Sequence, residues 1–267
     1  NKVMLVGIFL LAILTLGAVS AQEGSSADVL AVDSASSPVL GDGVSYDKAI
    51  YVNTTGDDSN SGSQTSPYAT INKGISSVNA SDNAVIYLSE GTFTGDNNTD
   101  LSINLAHKNY NGSLTFIGQG YDKTFIDGEQ MAPIFKSMSG DSIIVFKNIA
   151  FINGKANTGG AITSNAVLTI DNCLFEDNYA TGYNGGAIYQ QSNDFKVTNS
   201  IFRNNSVNSY GGSIFASSMQ NAQLMNCVFE NSIARSTYCS GAGAYIDAYN
   251  STIIKNNRFV NISTSGN

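Results

Sequence analysis

The sequence contains no tryptophan, three prolines, three cysteines and one histidine among 267 residues, and only 13% of its residues are charged. So little proline argues against a disordered, proline-rich stalk. No block of lysines and arginines occurs, and the formal net charge is −8, so the basic stripe of a nucleic-acid-binding protein is missing. We therefore expect no nucleic-acid partner and an acidic surface that suits solubility outside the cell.

Glycine, asparagine, serine and β-branched residues are the residues that the chain has in abundance. It contains 26 glycines, and 42% of its residues are hydrophobic, which is enough for a core. This composition is typical of many short strands joined by tight turns.

The N-terminus has the pattern of a secretory signal peptide. Lys2 precedes an apolar run from Val3 to Leu16, and the small residues Val19 and Ala21 precede a cleavage position after residue 21. A retained membrane anchor is the alternative, but the run of about 14 residues is shorter than the roughly 20 that span a bilayer. We predict a signal peptide over residues 1–21, a linker over 22–45, and a secreted, cell-surface location.

A repeat organises the second half of the chain. The motif Asn-x-x-Phe occurs five times at intervals of 24 to 30 residues, and it ends at Phe151, Phe175, Phe202, Phe229 and Phe259. The corresponding asparagines are Asn148, Asn172, Asn199, Asn226 and Asn256. Between the motifs lie the glycine pairs Gly159-Gly160, Gly185-Gly186 and Gly211-Gly212, and a further Asn follows each Phe at Asn153, Asn178, Asn204, Asn231 and Asn261.

This period predicts an all-β solenoid. Apolar residues two apart, such as Leu168 and Ile170, have strand spacing, and no repeat has room for a crossover helix. The chain lacks a leucine ladder, and its repeats are shorter than propeller blades. We predict a right-handed parallel β-helix with about three short strands per coil.

In such a coil the repeated residues acquire structural roles. The five phenylalanines would stack inside at about 4.8 Å per coil. The five asparagines of the motif would form a ladder that bonds the turns of successive coils. The glycine pairs would permit a positive φ or a close backbone approach at a bend.

The domain boundaries follow from the same pattern. Less regular coils begin at residue 84, so we predict the β-helix over 84–267 and an N-terminal cap over 46–83. The segment Ser66–Val78 places Tyr68, Ile71, Ile75 and Val78 at helical spacing, which predicts a short capping helix. The chain ends eight residues after Phe259, inside a repeat, so we expect further coils beyond a truncated end.

Cysteines and acidic residues suggest little chemistry. Cys173 and Cys227 hold the same place two coils apart, about 9–10 Å, so we predict buried thiols rather than a disulfide. The stretch GDDSNSG carries Asp57 and Asp58; it predicts a hydrogen-bonded polar turn, with a calcium loop as the alternative. We expect no cofactor, and calcium is the one ion that this loop could bind.

Three tyrosines are the candidate binding residues. Tyr183 and Tyr210 lie in the predicted turns GYN and NSY, and Tyr238 lies in the longest insertion. Exposed tyrosine beside asparagine and serine suits contact with sugars, although packing at the coil edges is the alternative.

Two motif sets resemble known families. The stretch YVNTTGDDSNSGSQTSPYATINKGI (51–75), followed by GTFTG and FIGQGYDKTFIDG, resembles the opening of pectate-lyase-like β-helix proteins. The alternation of GGAI with N-x-x-F-x-x-N resembles repeats of adhesin-like surface proteins of methanogenic archaea, and also those of chlamydial polymorphic outer membrane proteins. Together the motifs cover residues 50 to 267. The resemblance implies a β-helix at the cell surface.

The resemblance leaves more than one function open, because this fold hosts adhesins, lyases and hydrolases. The favoured expectation is a non-catalytic, adhesin-like rod whose partner is an extracellular polysaccharide or the surface of another cell. A polysaccharide lyase or glycoside hydrolase is the alternative, and a structural wall protein is a third. Lyases of this fold use a Lys or Arg base with calcium-holding acids, and the hydrolases use clustered Asp with His and Arg.

Charged residues that recur at one position of the repeat are the candidates for such enzyme chemistry. Glu176, Arg203 and Glu230 share one offset in successive repeats, which favours a charge ladder on a solvated face over a catalytic set. The single histidine, His107, lies in a predicted surface turn.

Overall fold

The described part of the chain contains one long solenoid. The computed structural model describes residues 45–104, 112–139, 142–236 and 239–264. The parts of the predictions that lie outside these residues are the signal peptide (1–21), residues 22–44 of the linker, His107 and Tyr238.

The solenoid is built from short strands and one helix. In chain order, its first elements are β1 (Lys48–Val52), α1 (Ile71–Ser76), β2 (Asn83–Leu88), β3 (Gly91–Phe93), β4 (Leu101–Ile103), β5 (Ser113–Ile117), β6 (Thr124–Asp127), β7 (Phe135–Met138), β8 (Ile143–Lys147), β9 (Ala150–Ile152), β10 (Lys155–Ala156), β11 (Ile162–Ser164) and β12 (Val167–Asp171). They are followed by β13 (Leu174–Glu176), β14 (Tyr179–Ala180), β15 (Ile188–Gln191), β16 (Phe195–Thr198), β17 (Ile201–Arg203), β18 (Ser206–Val207), β19 (Ile214–Met225), β20 (Val228–Glu230), β21 (Ile233–Ala234), β22 (Ala244–Lys255), β23 (Arg258–Val260) and β24 (Ser263–Thr264).

The strands form four parallel faces, which we name sheets A to D. Sheet A contains β1, β2, β5, β8, β12, β16 and the second halves of β19 and β22; sheet B contains β3, β6, β9, β13, β17, β20 and β23. Sheet C contains the two-residue strands β10, β14, β18, β21 and β24; sheet D contains β4, β7, β11, β15 and the first halves of β19 and β22. The predicted all-β parallel β-helix is confirmed, with sheet C as a fourth short strand in the later coils.

The phenylalanines of the repeat form one stack inside the solenoid. Phe175 pairs in register with Phe151 on one side and with Phe202 on the other. The ring centroids are 4.8 Å apart between Phe151 and Phe175, 4.9 Å between Phe175 and Phe202, and 4.8 Å at each of the two later steps to Phe229 and Phe259. The first four rings are fully buried, so the stack runs through the core.

The asparagines of the repeat turn the chain from sheet A to sheet B. All five adopt a positive φ between 52° and 60°, a conformation that asparagine tolerates better than most residues. Asn172 donates to Asn148 Oδ1 at 2.7 Å, and Asn226 donates to Asn199 Oδ1 at 3.2 Å. The predicted continuous ladder is broken between these pairs, because Asn199 donates to the carboxylate of Asp171 at 2.7 Å. A carboxylate is a stronger acceptor than an amide oxygen.

A second, buried pair of asparagines lies at the corner between sheets B and C. Asn178 donates to the carbonyl of Phe151, and Asn205 donates to the carbonyl of Phe175, both at 3.0 Å. Asn205 Oδ1 also accepts from the backbone N–H and the side chain of Asn178 at 3.0 Å. The two side chains therefore satisfy backbone groups inside the core, where water cannot.

The glycine pairs serve both purposes that the sequence suggests. Gly185 has φ +67°, in the left-handed region. Gly186 allows close approach, because a Cβ there would lie 2.1 Å from the carbonyl oxygen of Gly212 in the next coil.

The predicted capping helix is present but shorter than the predicted segment. Helix α1 begins after Thr70, whose hydroxyl accepts from Lys73 N–H at 3.2 Å. Residues before it cannot be helical, because Tyr68 N–H donates to Tyr51 O and Tyr68 O accepts from Asn53 N–H, both at 2.9 Å. These bonds cover the free edge of β1. None of the helices in the described ranges is long and apolar enough to cross a membrane.

Candidate functional site

A row of aromatic side chains lies on the outer face of sheet D. In the repeat GGAIY, Ile188 is buried and Tyr189 points outward, as alternation along a strand requires. Phe215 and Tyr245 occupy the same register in the next two coils. The ring centroids are 5.7 Å apart between Tyr189 and Phe215, and 4.8 Å apart between Phe215 and Tyr245. All three rings are half-buried.

Two of the predicted binding tyrosines lie at the neighbouring corner, between sheets C and D. Tyr210 N–H donates to Tyr183 O at 3.0 Å, so the two residues occupy adjacent coils. The Tyr183 residue is 68% exposed, whereas Tyr210 is half-buried. Tyr238, the third candidate, lies outside the described residues.

We call these five residues the aromatic strip: Tyr183, Tyr189, Tyr210, Phe215 and Tyr245. In the outer row Phe215 is stacked between its two neighbours, whereas Tyr189 and Tyr245 each stack on it with one face. Exposed Tyr183 also offers a ring face. Apolar edges beside phenolic hydroxyls can contact a ligand that has both C–H and O–H groups.

The sequence contains a signal for the outer row in addition to the glycine motif. The residue that follows the buried Ile of GGAIY and GGSIF must point outward, and in both motifs it is aromatic. Strand alternation alone would have identified Tyr189 and Phe215.

A polar groove runs along the corner between sheets B and C. It has a volume of about 390 Å³, and its walls include Gln130, Asp177, Tyr179, Asn204 and Arg235. The Arg235 guanidinium carbon lies 5.4 Å from the centroid of the Tyr179 ring, a cation–π contact. Gln130 donates to the carbonyl of Asp177 at 2.6 Å. Within the described ranges Arg235 forms no ion pair, so its charge can reach a ligand in the groove.

The charged residues that share one offset in the repeat are engaged with one another. Arg203 donates to Glu176 at 3.1 Å and to Glu230 at 3.2 Å, and Arg258 donates to Glu230 at 2.9 Å. Hydrogen bonds to the two carboxylates raise the pKa of Arg203 above its ordinary value. Each carboxylate is thus bound to a guanidinium, which is the arrangement of a charge ladder on the outside of sheet B.

The two acidic residues of the candidate calcium loop lie in the cap. Asp58 accepts from the N–H groups of Ala69 and Thr70 at 2.9 Å and from the Thr70 hydroxyl at 2.7 Å. Asp57 accepts from the N–H and hydroxyl of Ser59, and these bonds lower the pKa of Asp57. In the described part of the chain, no group of three or more His, Cys, Asp or Glu could hold a metal ion.

The two repeat-position cysteines provide a test of burial. Cys173 and Cys227 are free, buried thiols, and desolvation raises the pKa of Cys173 to about 12 and that of Cys227 to about 11. We expect a maleimide at about pH 8 to leave both unmodified in the folded protein and to label all three cysteines in concentrated guanidinium chloride. Mass spectrometry of the labelled peptides measures this, and rapid native labelling of Cys173 would contradict its burial.

The same pKa shifts predict how stability depends on pH. The folded state keeps these protons above the ordinary thiol pKa of 9.0, whereas the unfolded chain loses them. Their contribution to stability is therefore complete below about pH 9 and is lost as pH rises through about 11 and 12.

Comparison with known proteins finds a matching family and a similar solved structure. The family described as "Protein of unknown function (DUF1565)" matches residues 54–266. A search of curated proteins finds no match. Among solved structures, a protein titled "Rhamnogalacturonan lyase" is similar, with a TM-score of 0.38 and 14% sequence identity. That similarity covers 79% of this chain, which spans 62% of the length of the other.

Proposed function

The chain belongs to the DUF1565 family of proteins of unknown function, and from this premise we propose that it is an exported, non-catalytic β-helix rod. Its partners are extracellular polysaccharides or the glycan-coated surface of another cell, and it needs no cofactor. Its role is to hold a long lateral surface away from the cell and to bind through many weak contacts.

The aromatic strip is the observation that carries this proposal. It repeats the same outward position over successive coils, with rings 4.8 to 5.7 Å apart in the outer row. A polymer with a regular repeat can contact several such positions at once, and linked weak contacts multiply into useful avidity. The most regularly placed carboxylates, Glu176 and Glu230, are held by Arg203 and are poorly suited to move protons.

The strip predicts a specific loss of binding. We expect the double variant Tyr183→Ala/Tyr189→Ala to bind its best polysaccharide at least about tenfold more weakly, because aromatic anchors dominate binding surfaces. The measurement is retention on a panel of immobilised plant and microbial polysaccharides. The matched control is Tyr249→Ala, which removes a tyrosine that is 74% exposed but lies outside the strip. Equal binding by both variants would contradict the role of the strip.

A polysaccharide lyase or glycoside hydrolase is the second candidate, and the groove between sheets B and C favours it. Asp177 and Arg235 both line this groove, so it contains a carboxylate and a guanidinium. The test is incubation with the same panel, with and without calcium, and quantification of chain ends. New unsaturated ends would indicate a lyase and new reducing ends a hydrolase; either result would overturn the non-catalytic proposal.

A further inference from the structure

A separate cavity lies where the cap meets sheet A. Its volume is about 370 Å³, and the side chains that line it include Tyr51, Asn53, Gln64, Pro67, Tyr87 and Gln119. This volume is at the lower end of the roughly 300–1,000 Å³ that is usual for small-molecule sites. It is large enough for a small ligand of one or two rings.

Two parts of the fold hold the cavity in shape. Tyr51 in β1 and Tyr87 in β2 are paired in register, and their rings stack with centroids 5.0 Å apart. The cap segment is bound alongside them, because Tyr51 N–H donates to Gly62 O at 2.8 Å and Tyr51 O accepts from Tyr68 N–H. The cap residues Gln64 and Pro67 are therefore held opposite the tyrosine pair by backbone bonds.

The lining has hydrogen-bonding capacity but no charge. In the part of the chain that the structure describes, no partner exists for the Tyr51 hydroxyl, Asn53 Nδ2, Gln119 Oε1 or the Gln64 amide. Glu90, which follows the lining residue Ser89 in the chain, has its carboxylate bound to Lys123 at 2.9 Å.

Donors and acceptors together suit the hydroxyl groups of a sugar, each of which can both donate and accept. An ionised ligand would lose hydration without gaining an opposite charge, which is costly. We propose that this cavity, the cap pocket, binds one neutral sugar ring. The cap pocket is distinct from the aromatic strip, and the proposal does not depend on the strip binding polysaccharide.

The test compares two sugars that differ only at one carbon. Methyl galactoside and methyl galacturonide share every ring hydroxyl, but the second carries a carboxylate in place of the primary alcohol. Methyl glucoside, mannoside and rhamnoside complete the panel. We expect at least one neutral glycoside to bind the purified protein and to perturb the Tyr51 and Tyr87 ring signals in NMR titrations, and the galacturonide to bind at least about tenfold more weakly than the galactoside.

Matched variants locate the binding. The double variant Gln64→Ala/Gln119→Ala removes two side-chain amides. Within the described residues these amides make one hydrogen bond, in which Gln119 Nε2 donates to the Leu88 carbonyl at 3.3 Å. We expect it to weaken binding about tenfold, since two ligand hydrogen bonds are lost. Gln220→Ala, which changes an exposed glutamine outside both the pocket and the strip, should leave affinity unchanged. The proposal is overturned if no neutral glycoside binds, if the galacturonide binds equally well, or if the double variant binds normally.

Discussion

Replacing Asn205 by alanine is expected to lower the free energy of unfolding by about 3–9 kcal/mol, because three buried polar groups each lose a bond of 3.0 Å, at roughly 1–3 kcal/mol apiece. These groups are the carbonyl of Phe175 and the backbone N–H of Asn178, together with the Asn178 Nδ2 group, which keeps its bond to the Phe151 carbonyl. Domains are stable by about 5–15 kcal/mol, so the variant would be close to unfolding. Urea denaturation followed by circular dichroism measures the loss.

The residue next to it supplies the control. Asn204 is exposed, has φ 55°, and forms one ladder bond, in which it accepts from Asn231 at 2.9 Å. Asn204→Gly keeps that backbone conformation accessible and removes only a solvated hydrogen bond. We expect a change within about 1 kcal/mol. A similar loss in the two variants would mean that the buried network contributes no more than the surface ladder.

The contrast between Asn204 and Asn205 shows that the repeat predicts the position of an asparagine after each Phe but not whether that asparagine is buried. The asparagines that follow each Phe look like one set in the sequence, but Asn178 lies three residues after its Phe and Asn204 lies two after its own. The second position has a positive φ and lies at the surface, whereas the third points into the core. Asn205 belongs with Asn178, but the sequence pattern does not single it out, because Asn204 already completes the repeat.

The period of the repeat was enough to predict the fold and the stacking of like residues. It was enough because each coil must place the same residue at the same corner for strands to pair in register. The grooves could not be predicted in the same way. Gln130 and Arg235 line one cavity although 105 positions separate them (235 − 130), and coils of 24 to 30 residues prevent a simple count from aligning them.

The cap pocket was beyond prediction for a different reason. Its cap wall, with Gln64 and Pro67, comes from an irregular segment whose position depends on backbone bonds to β1. Any residue can make such backbone bonds, so they leave no pattern of side chains in the sequence. The sequence of this segment therefore indicates a turn and a helix but not the surface against which they pack.

The second large effect is expected in the phenylalanine stack. Phe202→Ala removes a fully buried ring that lies between Phe175 at 4.9 Å and Phe229 at 4.8 Å. We expect a loss of about 3–5 kcal/mol in the free energy of unfolding, because the coil backbone is fixed by its neighbours above and below and cannot collapse into the cavity. Chemical denaturation of the variant beside the parent protein measures the loss.

Phe215 makes it possible to separate stacking from burial. It also lies between two stacked rings, those of Tyr189 at 5.7 Å and Tyr245 at 4.8 Å, but on the outside of the solenoid, where it is half-buried. Phe215→Ala should therefore cost about 1–2 kcal/mol, since stacking beyond area burial is worth roughly 0.5–1.5 kcal/mol. If the two variants lose the same stability, ring stacking rather than exclusion of water holds successive coils together, and the core of this solenoid contributes less than its burial implies.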